Sequence, residues 1–117
     1  MELTWTTPIV SNLKNGVLPN DAEEARKLKI RAAKFDLMDE VLYKRDFSQT
    51  YLRCLTPDKS LYVLRDVHEG TYGNHSRARS LVHKIVRAGY YWPTMQVDAK
   101  VYVKVYDKCQ HFNNIPR

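Results

Sequence analysis

Three residues stand at spacings that suit metal chemistry. His68 and His75 lie seven apart in His-Glu-Gly-Thr-Tyr-Gly-Asn-His, two imidazoles across a glycine-containing turn, and Cys109 follows far downstream. Tetrahedral zinc sites take four nitrogen or sulfur donors, commonly as two local pairs that the fold brings together. Only the first pair is complete here, and on spacing alone two core or surface histidines are the simpler reading. Cys54 alternates with arginine in Tyr51-Leu52-Arg53-Cys54-Leu55 and reads as a small buried hydrophobe. The opening MELTWTTPIV lacks the basic and then apolar layout of a signal peptide. Reduced thiols or metal ligands are therefore favoured over a structural disulfide.

A second chemistry rests on cations. The formal charge is +6, yet residues 1–70 balance eleven Lys/Arg against eleven Asp/Glu, while residues 71–117 set eight Lys/Arg against only Asp98 and Asp107. Such asymmetry suits a polyanion-binding face, because Lys and Arg displace counterions from phosphates. The alternative is a solvated basic surface. Within this part, a helix beginning near Ser76 and ending at Gly89 places Ala78, Leu81, Val82, Ile85 and Ala88 on one side. Arg77, Ser80, His83, Lys84 and Arg87 fall opposite. Arg77, Arg79, Lys84 and Arg87 are the candidate DNA-binding residues. Tyr90-Tyr91-Trp92 could stack on bases, but packing is favoured, since Trp92 falls between two helices of a small bundle.

The elements that position these residues are legible from punctuation. A first helix runs from Trp5 to Asn15, opening at Thr7-Pro8, with Ile9, Leu13 and Val10 on one face and a stop at Gly16. Asp21 with Glu24 three residues on forms a capping box, after which Ala25, Leu28, Ala32 and Phe35 recur at spacings of three and four. The other face of this helix, with Arg26, Lys27, Lys29, Arg31 and Lys34, reads as solvated because nearby acids neutralise it. Residues 35–38, an Asp39-Glu40 turn, residues 41–44 and residues 51–55 suggest an antiparallel hairpin or meander. Thr56-Pro57 starts a helix carrying Leu61, Leu64 and Val67 to Gly70. A last helix is expected from Pro93 to Tyr106, with Ala99, Tyr102 and Val103 inward, and the chain beyond it is expected to fray.

The expected fold is mainly α with a small β-hairpin, an α+β chain. A helical and hairpin extension spans 1–55, a three-helix domain of helix-turn-helix character spans 56–112, and a tail spans 113–117. Length excludes a large enzyme, and no apolar run approaches the roughly 20 residues of a membrane span.

The separated motifs His68-Glu69-Gly70, Gly73-Asn74-His75, Ser80-Leu81, Gly89-Tyr90-Tyr91-Trp92-Pro93-Thr94-Met95 and Asp107-Lys108-Cys109-Gln110 resemble the zinc-binding (HHCC) amino-terminal domain of plant gypsy-type LTR retrotransposon integrases. Val41-Leu42-Tyr43-Lys44-Arg45 and Leu52-Arg53-Cys54-Leu55 are similar to the segment that links RNase H to integrase in the same polyproteins. The resemblance implies zinc as cofactor, with His68, His75, position 106 and Cys109 as ligand positions, but position 106 is Tyr106. A phenol is a poor zinc ligand at neutral pH. Three readings stay open: zinc on His68, His75 and Cys109 with water, zinc with His83 or His111 as fourth ligand, or no metal. The resemblance further implies DNA as partner, self-association or contact with other integrase domains, no membrane, and a nuclear or cytoplasmic location. Integration chemistry belongs to a separate carboxylate core, expected to begin beyond Arg117, and no glutamate is placed as base for a hydrolytic zinc. The expectation is a non-catalytic DNA-binding and assembly module. The alternative is a domesticated protein-interaction domain that has lost metal and DNA binding.

Overall fold

The computed structural model describes the backbone of residues 3–69 and 77–114, and the side chains of residues 3–69 and 77–105. Among them are five helices and four short strands, so the fold is α+β with helices predominating. The chain divides into two compact units, residues 1–57 and 58–117.

In the first unit, α1 (Thr6–Asn15) ends where Gly16 turns left-handed at φ 69° and its N–H reaches the Asn12 carbonyl, a conformation glycine adopts without a Cβ penalty. Helix α2 (Ala22–Ala32) starts at Asp21, whose carboxylate accepts the Glu24 N–H at 3.0 Å. Strands β1 (Phe35–Met38), β2 (Val41–Arg45) and β3 (Tyr51–Cys54) form an antiparallel meander, with Leu37 opposite Leu42 and Lys44 opposite Leu52. Asp39 and Glu40 join β1 to β2 at φ 50° and 65°, the two-residue turn whose twist matches paired strands. Ile9, Leu28, Ala32, Phe35, Leu42, Leu52 and Leu55 are the buried core. Trp5 leans on Phe35 at 5.9 Å and donates its indole N–H to the Leu55 carbonyl at 2.9 Å. Leu13, expected on the inner face of α1, is instead 37% exposed, so Ile9 alone anchors that helix fully.

In the second unit, α3 (Pro57–Glu69) buries Ser60, Leu64 and His68, one row at i, i+4 and i+8. Leu61, read as inward from the sequence, lies 60% exposed. The row through Leu64 selects Ser60 and His68, and Leu61 stands about 100° round the helix from Ser60. Helix α4 (Ala78–Arg87) has Arg77, in extended conformation, as its N-cap and buries Leu81 and Ile85. The expected start at Ser76 lies outside the described residues. A short strand β4 (Tyr90–Tyr91) leads to α5 (Met95–Asn114), which packs on α4. Trp92, Met95 and Ala99 are buried, and Tyr102 and Val103 are half-buried. Helix α5 begins two residues after Pro93 and continues to Asn114, where the sequence reading ended it at Tyr106. Residues 107–114 contain neither Gly nor Pro, so no helix breaker interrupts the run before Pro116. No helix among the described residues is long and apolar enough to cross a membrane.

Candidate functional site

His68 occupies the last turn of α3 and is 3% exposed, with its imidazole edge-on to the Tyr102 ring of α5 at 5.4 Å and 66°. The sequence marked both residues but gave no sign that they meet, because spacing within one helix says nothing about the ring across from it. His75 lies outside the described residues. Cys109 and Tyr106 fall inside α5, and their side chains lie outside the described residues. Cys109 was expected beyond the last helix; the uninterrupted α5 places it within one. His83 is exposed on α4, about 200° from both Leu81 and Ile85. It therefore points away from the buried side of α4. Among the described residues, no three His, Cys, Asp or Glu side chains converge.

Cys54 ends β3 half-buried, its Sγ directed at the Leu52 carbonyl at 3.9 Å. Burial pushes its thiol up to about 12, against a smaller opposing pull from Lys44. A thiol held neutral is a weak ligand and nucleophile, which agrees with reading Cys54 as packing material.

The basic candidates sit on α4. Arg77, Arg79 and Arg87 are exposed, whereas Lys84 is half-buried at the margin of the Leu81 side. Among the described residues, no acidic side chain forms an ion pair with Arg77, Arg79 or Arg87. All four ion pairs found there belong to residues 1–57: Lys14–Glu40, Arg26–Glu23, Lys27–Glu24 and Arg45–Asp36. Four of the nine Lys and Arg of residues 1–57 thus lie against local acids, whereas Arg77, Arg79 and Arg87 have no such pair among the described residues. Lys100 and Lys104 of α5 are also exposed. The period of a single helix does not reveal them, because they stand on the helix packed against α4.

Trp92 is 2% exposed and donates its indole N–H to Asp98 Oδ2 at 2.8 Å, the same oxygen that accepts the Thr94 hydroxyl at 2.8 Å. Tyr90 and Tyr91 are half-buried in β4. Trp92 is therefore closed off from solvent, tied to α5 through Asp98, and offers no open stacking face, as expected.

Comparison with known families finds that the model described as the integrase zinc-binding domain matches residues 56–115. Comparison with curated proteins and with solved structures finds no match.

Proposed function

The chain belongs to the integrase zinc-binding domain family, and on that premise we propose that it is a non-catalytic module that contacts DNA and assists assembly during integrase-mediated DNA integration. The observation that carries this reading is α4, whose Arg77, Arg79 and Arg87 are exposed and without ion-pair partners among the described residues. Cations placed in this way gain most from phosphate, because they give up no protein partner to bind it. Lys84, half-buried, contributes from the margin of the same helix. The motif resemblance supports a plant gypsy-type LTR retrotransposon as the source, with residues 1–55 as the segment following RNase H, 56–112 as the functional domain and 113–117 as the tail. Its place of action is then the nucleus or the cytoplasm, and its partners are DNA, other integrase domains or a second copy.

The donor set implied for zinc is two imidazoles, one thiol and the phenol of Tyr106. It is one suitable donor short of a closed structural site, so the residues do not fit a complete four-ligand zinc, and no step of the proposed function passes through metal. His68, His75 and Cys109 stand as the ligands of a partial site. Tyr106 is also what favours a second reading, a domesticated interaction domain released from metal and DNA.

DNA binding separates the two. Replacing Arg77, Lys84 and Arg87 together by Ala is expected to weaken binding to unrelated duplexes alike and to flatten its dependence on salt. Equal affinity for the natural and triple variants would reduce the α4 face to a solvated surface.

A further inference from the structure

Arg79 does not stand on the open face of α4 alone. It borders a cleft of about 330 Å³ whose lining is Ala78, Arg79 and Val82 from α4 with Gln96 and Lys100 from α5. The cationic heads come from different helices, and Gln96 adds an amide that can donate or accept. Among the described residues, no carboxylate lines the cleft. Asp98, the acid of the first turn of α5, is already engaged by Trp92 and Thr94, and it lies about 160° round the helix from Lys100. Ala78 and Val82 give the cleft apolar wall between the charges. Two rows extend from it at a spacing of four: Arg79, His83 and Arg87 along α4, and Gln96, Lys100 and Lys104 along α5, all exposed.

We propose that this cleft seats a sugar–phosphate strand of duplex DNA, with the Arg79 guanidinium and the Lys100 ammonium holding phosphate from opposite walls. The proposal rests on the DNA-contact reading and adds α5 to it. Guanidinium forks phosphate oxygens and ammonium acts as a point charge, while alkyl side chains of Ala78 and Val82 suit deoxyribose carbons. With Arg79 and Lys100 both assigned to phosphate, the proposed contact is to backbone and independent of sequence. Arg77 and Lys84 lie on the far edge of α4, about 160° and 140° round the helix from Arg79, so they make a separate contact.

The test uses the full chain and fluorescence anisotropy on two unrelated labelled duplexes over a range of salt. Arg79→Ala, Lys100→Ala, Lys100→Arg and, as a control in the first unit, Lys27→Ala are compared, with thermal unfolding to confirm that each is folded. Losing one phosphate contact is expected to lower affinity about fivefold near 0.15 M salt and to reduce the salt slope by about one. Arg79→Ala and Lys100→Ala should each show this, Lys100→Arg should bind like the natural chain, and Lys27→Ala should change nothing. If Arg79→Ala weakens binding while Lys100→Ala does not, the cleft is overturned and the α4 face survives. If the natural chain fails to bind either duplex at 50 mM salt, or binds only single strands, the cleft and the underlying reading fall together.

Discussion

Removing the Asp98 carboxylate should loosen the junction that sets α5 against α4. Asp98 Oδ2 accepts two hydrogen bonds at 2.8 Å, from the Trp92 indole and the Thr94 hydroxyl. Thr94 is exposed and regains water when the carboxylate is removed, but Trp92 is 2% exposed and its N–H does not. Stranding a buried donor costs about 1–3 kcal/mol, so Asp98→Ala should destabilise by about 2 kcal/mol, roughly 10 °C in Tm for a cooperative unit of this size. Asp98→Asn keeps a neutral acceptor and should cost about half as much by the same reasoning. Trp92→Phe removes the donor itself, and Asp98→Ala in that background should then cost less than about 1 kcal/mol, since no indole is left without an acceptor. Urea unfolding followed by circular dichroism completes the double-mutant cycle. An equal cost of Asp98→Ala in both backgrounds would refute the reasoning and reduce Asp98 to a favourable charge in the first turn of α5.

Tyr106→Cys supplies the thiolate that the resemblance expects beside His68, His75 and Cys109, so zinc should raise its Tm more than that of the natural chain, because metal bound only by the folded state adds to folding. Equal shifts in a zinc titration with chelator controls would remove the partial metal site. Cys54, pushed up to about 12 by burial, keeps its proton in the folded chain after the unfolded thiol, near 9, has lost it. Its contribution is therefore fully present below about pH 9 and declines as pH rises towards 12. The stability difference between the natural chain and Cys54→Ala, measured in urea at pH 8 and pH 10.5, should shift in favour of the variant at the higher pH; a constant difference would contradict it. At pH 8, peptide mapping after a maleimide pulse should find Cys54 slow to react in the folded chain and fast in urea.

Local punctuation carried much of the fold into the sequence. Gly16, the Asp21 and Glu24 pair, and the Asp39-Glu40 turn each act within four residues, so composition alone marks α1, α2 and the meander. What failed depends on partners distant in sequence. Leu61 is apolar and suits a core, yet the face of α3 is chosen by what packs on it, and that face buries Ser60 and His68. The end of α5 was misplaced because polar residues after Tyr106 looked like a fraying tail, whereas polarity does not break a helix that lacks Gly and Pro. The same logic divides the candidate site. The row on α4 follows from helical period, while the Arg79 and Lys100 cleft and the His68 and Tyr102 contact depend on how separate helices cross. No periodicity encodes that crossing.

The central claim, that the exposed Arg77, Arg79 and Arg87 bind DNA backbone, is tested most directly by the salt dependence of the natural chain's affinity for unrelated duplexes. Log affinity should fall linearly with log salt at a slope of about −0.9 per phosphate neutralised, so contacts from Arg77, Arg79 and Arg87 alone predict a slope near −3, shared by all duplexes. A slope near zero, or no binding at low salt, would contradict the account.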